Sequence, residues 1–120
     1  MTPFGQAVRR LRAERRISQK KMAYDLGVSP AYLSALEHGH RGRPSWEFVQ
    51  KVLGYFNIIW DEAEELQRLA LASNPRVEID TSGMTPAATA FANRLALIIR
   101  QLDDEAIARL DAIINEADDN

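Results

Sequence analysis

Residues 18–39 constrain the fold of this chain more than any other stretch, because they spell two short helices about a glycine turn, each with its own start signal. Ser18 and Ser29 are each positioned to accept a hydrogen bond from the unpaired backbone N–H groups of a first helical turn. Pro30 falls at a first helical position, where its missing N–H is no loss, and Gly27 supplies a left-handed stop for the preceding helix. Met22, Ala23, Leu26, Val28, Leu33 and Leu36 then occupy the positions that let two crossed helices share one core. A helix pair of this size, followed by arginines, has the geometry that presents one helix to the major groove of DNA.

The flanking sequence extends the helical pattern. Thr2 and Pro3 start a first helix that runs to about residue 15, with Phe4, Val8 and Leu11 on its inner face. The next two helices are expected at residues 19–26 and 30–37. Residues 39–44 are a loop by their glycines and proline. Ser45 caps a fourth helix from residue 46 to about 55, with Val49, Val52 and Leu53 inward. A fifth, at about residues 60–72, carries Ala63, Leu66, Leu69 and Ala70 on its buried stripe and ends before Asn74 and Pro75. Trp46 and Trp60, which flank the fourth helix, are read as core or interface anchors.

The motif resembles the DNA-binding domain of the lambda-repressor/Cro-like (XRE) helix-turn-helix family. The residues that carry the likeness are Leu11-Arg12, Ser18-Gln19, Met22-Ala23, Leu26-Gly27-Val28-Ser29, Tyr32-Leu33-Ser34, Leu36-Glu37, Gly39 and Pro44-Ser45. Their joint spacing is far more specific than a lone short motif. The likeness covers Thr2 to about Ser73 and implies a five-helix unit over residues 1–73; residues 74–120 lie outside it. Where well-studied members carry glutamine or serine as base readers, this chain has Pro30 and Ala31.

Charge supports the same reading once the chain is halved. The formal net charge is −2, yet residues 1–60 hold ten Lys/Arg against four Asp/Glu, and residues 61–120 hold five against thirteen. The half with the helix pair is basic, and a basic face attracts a polyanion whatever the total, because screening limits the reach of charge to about 8–10 Å. There is no cysteine, which excludes disulfides and thiolate metal sites and fits a cytoplasmic protein. No apolar run reaches membrane-spanning length and no signal-peptide pattern opens the chain, so no membrane partner is expected.

Residues 74–85 read as a linker or extended arm, in which Val77 and Ile79 alternate with charges and could form a short strand. Thr85-Pro86 restarts a helix. Ala88, Phe91, Leu95, Ile98 and Leu102 form a narrow apolar seam, and after a second start at Asp103, Ile107, Leu110, Ile113 and Ile114 form another. Residues 86–117 are thus expected to be an antiparallel helical hairpin, with residues 118–120 a frayed tail. The fold class is all-α: a five-helix lambda-repressor-like domain followed by a two-helix hairpin.

The resemblance and the residue chemistry together nominate sites. Gln19 stands at a helix N-terminus, where the dipole and free amides suit a phosphate. Lys20, Lys21 and Arg9 are further phosphate candidates, and the resemblance places Arg41 and Arg43 over the backbone, where paired arginines suit bidentate contacts. The helix at 30–37 would enter the groove with Ser29, Pro30, Ala31, Tyr32, Ser34 and Ala35 toward the bases, a face with few hydrogen-bonding groups that leans on DNA shape. The resemblance also implies a structural salt bridge between Arg12 and Glu37. Arg10, Arg15 and Arg16 are read as a solubilising face.

His38 and His40 lack a third ligand, so they are read as a solvated loop and no metal site is expected. No nucleophile–base arrangement, phosphate-cradling glycine loop or carboxylate dyad stands out, so neither an enzyme nor a cofactor is expected. The function expected is a sequence-specific double-stranded DNA-binding transcription regulator. It would act on a palindromic operator as a homodimer joined through Phe91, Leu95, Ile98, Leu102, Ile107, Leu110 and Ile114. The alternative is an antitoxin-type autoregulator or adaptor whose C-terminal helices bind a protein partner.

Overall fold

The structure, a computed structural model, describes residues 1–119. They form seven α-helices and one 3-10 turn, with no strand among the described residues: α1 Pro3–Arg15, α2 Gln19–Leu26, α3 Pro30–His38, α4 Trp46–Phe56, α5 Trp60–Leu71, α6 Pro86–Ile98, the turn Ile99–Gln101, and α7 Asp104–Asp118. The chain divides into two units, Met1–Val77 and everything from Glu78 onward.

Local capping explains where most of the helices begin. The hydroxyls of Thr2, Ser18, Ser29, Ser45 and Thr85 and the carboxylate of Asp103 each accept an N–H from the first turn they precede. Helix α5 is the exception. Its N-cap is Ile59, which offers no side-chain acceptor, and Trp60 starts the helix at φ 58°, a region that strains a bulky residue. Asp61 and Glu62 complement the α5 dipole instead.

In the first unit, α1 packs on α3 and α5, α2 on α3, and α4 on α5. The core they enclose includes Phe4, Val8, Met22, Leu33, Leu36, Phe48, Val52, Phe56 and Leu66. Two ties close the unit where its ends meet. The Phe4 N–H donates to Ser73 Oγ at 2.9 Å, and Ser73 Oγ donates to the Leu69 carbonyl at 2.6 Å. The Thr2 N–H and hydroxyl both donate to the Glu37 carbonyl, at 3.0 and 3.1 Å. Each satisfies a group that a helix terminus leaves unpaired.

Gly5 makes the second tie geometrically feasible. A Cβ there would lie 2.0 Å from the Glu37 carbonyl oxygen, so α1 can approach the end of α3 only where a side chain is missing. Gly5→Ala is expected to destabilise the unit by about 1–3 kcal/mol despite the better helix propensity of alanine. Thermal unfolding of the variant checks this, and an unchanged or raised midpoint would contradict it.

Several expectations need correction. Trp46 and Trp60 are 70% and 80% exposed, so neither is a core anchor: each opens its helix from the outer side, while Phe48, Val49 and Ile58 fill the interior. Arg15 is not a loose surface charge. It donates to the Phe56 carbonyl at 3.4 Å and lies 5.2 Å from the Phe56 ring, capping the end of α4. His38 is the last residue of α3 rather than part of a loop, with Nδ1 2.9 Å from the Ser34 carbonyl oxygen. Val77 and Ile79 lie exposed in irregular chain and form no strand.

In the second unit the apolar seam breaks before Leu102. Helix α6 ends at Ile98 and the 3-10 turn intervenes, leaving Leu102 extended at ψ 132° as the lead-in to the Asp103 cap. Helix α7 runs through Asp118, and the Asp119 N–H, at its C-cap, donates to the Asn115 carbonyl at 3.0 Å. The expectation for Asn120 lies outside the described residues. No residue of α6 or α7 is buried.

Candidate nucleic-acid interface

The site is organised around a buried ion pair. Arg12, on α1, and Glu37, near the end of α3, are 7% and 1% exposed and meet in a two-pronged contact: Nη1 donates to Oε2, and Nη2 donates to Oε1 at 3.2 Å. Gln19 Nε2 donates to the same Oε1 at 3.2 Å. One carboxylate therefore ties together α1, the first residue of α2, and α3. An ion pair this deep needs its remaining hydrogen-bonding capacity met, and Gln19 supplies part of it.

This bracing fixes the relative placement of α2 and α3, and with it the surface they present. Gln19 begins α2 at its positive dipole end, with its side-chain amide turned toward Glu37. Arg9, Gln19 and Ser34 line one shallow hollow with Met1, Arg12, Glu37 and His38, so three nominated residues from three helices share one surface. Lys20 and Lys21 are exposed in the first turn of α2. Lys21 finds an acidic partner within its own helix, its Nζ 3.1 Å from Asp25 Oδ2. Such an exposed i,i+4 pair is worth only about 0.3–0.5 kcal/mol, so it leaves the lysine available to a stronger anion.

On α3, Pro30 and Ala31 are exposed, and Tyr32, Ser34 and Ala35 are half-buried. The Ser29 hydroxyl accepts the Tyr32 N–H at 3.0 Å as the α3 cap. The Tyr32 ring packs edge-on to Phe48 of α4, with centroids 6.2 Å apart. Arg41 and Arg43 are exposed in the loop between α3 and α4, and the Arg41 guanidinium carbon lies 4.9 Å from the Tyr32 ring centroid. Phe91, Leu95, Ile98, Leu102, Ile107, Leu110 and Ile114 all belong to the second unit; Leu95 and Leu102 are half-buried and the other five exposed.

One bracing contact has no counterpart in the sequence reading. The Tyr55 hydroxyl donates to Asp25 Oδ2 at 2.6 Å, joining the last turn of α4 to the end of α2. Burial first, and then the neighbouring carboxylate, push the Tyr55 phenol up to about 12. The bonds from Tyr55 and Lys21 hold the Asp25 carboxyl below its ordinary value. Asp25 sits four residues after Lys21, a spacing visible in the sequence, but its approach to Tyr55 depends on how α2 packs on α4. Among the described residues no group of three or more His, Cys, Asp or Glu side chains could hold a metal ion.

A family model described as a helix-turn-helix domain matches residues 3–66, which span α1 through most of α5. The chain is 33% identical over 61 residues to a Bacillus subtilis (strain 168) protein described as an uncharacterized HTH-type transcriptional regulator, RghRB. That match covers 51% of this chain and 44% of the relative, so the chain spans less than half of the relative's length. No solved structure matches it.

Proposed function

Because this chain belongs to the XRE-like helix-turn-helix family, we propose that it is a DNA-binding transcription regulator that recognises a palindromic duplex operator as a homodimer. The observation that carries the DNA-binding reading is the Arg12–Glu37–Gln19 brace, which holds α2 and α3 as one rigid pair. A braced pair of this kind can set the second helix into the major groove while the first crosses the phosphate backbone. Arg9, Lys20, Lys21 and Arg43 supply cations for phosphates, Arg41 adds a further cation at the same face, and Gln19 brings the N-terminus of α2 to the backbone. Ser29, Pro30, Ala31, Tyr32, Ser34 and Ala35 form the surface that faces the groove.

The homodimer rests on a different observation. Helices α6 and α7 bury no residue of their own, and Phe91, Ile98, Ile107, Leu110 and Ile114 are all exposed. Monomers seldom leave so much apolar surface open to water, and a second copy covers it with closed two-fold symmetry. The two recognition helices would then address half-sites about one helical turn apart. Selection of bound duplexes from a random pool, at stated salt, tests this reading: an inverted repeat with that spacing is expected. Recovery of single, unpaired half-sites would contradict the dimer. A stable complex with an unrelated protein through α6 and α7 would favour the adaptor reading instead.

A further inference from the structure

The groove-facing surface of α3 is poor in groups that can name a base. The Ser29 hydroxyl is engaged in capping α3, and Pro30, Ala31 and Ala35 carry no hydrogen-bonding side-chain atoms. Ala31 and Ala35, one turn apart, leave a low strip along which base edges could come close. A long side chain lying beside that strip would find acceptors within reach.

Arg41 is that side chain. The loop bearing it turns through Gly39 at φ 80° and Gly42 at φ 76°. It is pinned by the His40 N–H to the Ala35 carbonyl at 2.9 Å and the Gly42 N–H to the Gly39 carbonyl at 3.1 Å. The loop folds back on α3, so that the Arg41 guanidinium lies 4.9 Å from the centroid of the Tyr32 ring. Tyr32 is itself held edge-on by the buried Phe48, at 73° between ring planes. A guanidinium held over a ring by cation–π attraction keeps N–H donors for other acceptors. Among the described residues Arg43, two positions on, makes no such ring contact.

We propose that Arg41 reads guanine, donating in bidentate fashion to O6 and N7 in the major groove, and that Tyr32 acts as the shelf that positions it. The assignment rests on the DNA-binding reading above and gives the two loop arginines different tasks. A side chain ordered before binding loses less entropy on meeting a base edge, which favours the shelved Arg41 for readout. The unshelved Arg43 suits a phosphate, where direction matters less.

The test is selection of bound duplexes by the full chain and by Arg41→Ala, Arg43→Ala, Tyr32→Phe and Tyr32→Leu, with melting curves recorded for each variant. Wild type is expected to select one guanine in each half-site. Arg41→Ala should lower that preference about ten- to hundredfold. Arg43→Ala, which removes the same charge, should bind more weakly but select the same sequence. Tyr32→Phe keeps the ring and should keep the guanine, whereas Tyr32→Leu should lose it. Replacing the selected guanine by 7-deazaguanine should weaken wild type and leave Arg41→Ala unaffected. Uniform weakening by Arg41→Ala with an unchanged sequence, or wild-type binding without any preferred guanine, overturns the assignment and leaves DNA binding standing. Failure of wild type to retain any duplex overturns both.

Discussion

Glu37→Ala is expected to lower the stability of the first unit by about 3–5 kcal/mol, because it leaves the Arg12 guanidinium buried without its counter-charge. For a unit of this size one kcal/mol shifts the midpoint by roughly 4–8 °C, so melting should fall by about 12 °C or more. DNA affinity should fall with it, since Gln19 loses the acceptor that links α2 to α3. Folding and binding are thus coupled through one carboxylate. Replacing both partners by apolar residues, as in Arg12→Met with Glu37→Leu, removes the uncompensated charge and should recover much of the lost stability. Calorimetry or circular dichroism on the single and double variants checks both statements. Equal melting of wild type and Glu37→Ala would show that the pair does not brace the unit.

The second large effect concerns the C-terminal helices. Leu110→Asp combined with Ile114→Asp puts two charges on the exposed apolar stripe of α7. Sedimentation is expected to show a dimer for wild type and a monomer for this variant. Losing the linked second half-site should reduce affinity for a palindromic duplex about 10²–10⁴-fold. The first unit is compact on its own, so its melting should be unaffected. Persistence of the dimer in the doubly charged variant would remove these helices from the interface.

What the sequence made legible, and what it concealed, follows from the range of the interactions. Helix starts at Thr2, Ser18, Ser29, Ser45, Thr85 and Asp103 were readable because a cap involves residues only three apart. The inward faces of α1 and α4 were readable because burial repeats at the helical period. The Arg12–Glu37 pair spans 25 residues and entered only through the family resemblance.

Contacts set by how helices pack were out of reach. Arg15 reads locally as one more surface arginine, and only the approach of α4 to α1 turns it into a cap on Phe56. The edge-on contact of Tyr32 with Phe48 likewise depends on where α4 packs against α3. The need for a glycine at position 5 also comes from the approach of α3, which leaves no room for a Cβ. Trp46 and Trp60 mislead for the opposite reason, since large aromatics are usually buried and these are not. For the site, residue types suggested phosphate contacts at Arg41 and Arg43 alike, and only the loop geometry separates them.

The central claim, that the basic first unit grips the DNA backbone, is tested most directly by the salt dependence of binding to duplex DNA, followed by fluorescence anisotropy. No knowledge of the operator is needed, because the phosphate contribution is independent of sequence. If Arg9, Lys20, Lys21 and Arg43 each neutralise one phosphate, the logarithm of the binding constant should fall against the logarithm of salt concentration with a slope of about −4 per chain. Arg43→Ala should reduce that slope by about one. A flat dependence, or no binding to duplex DNA at low salt, would contradict the account.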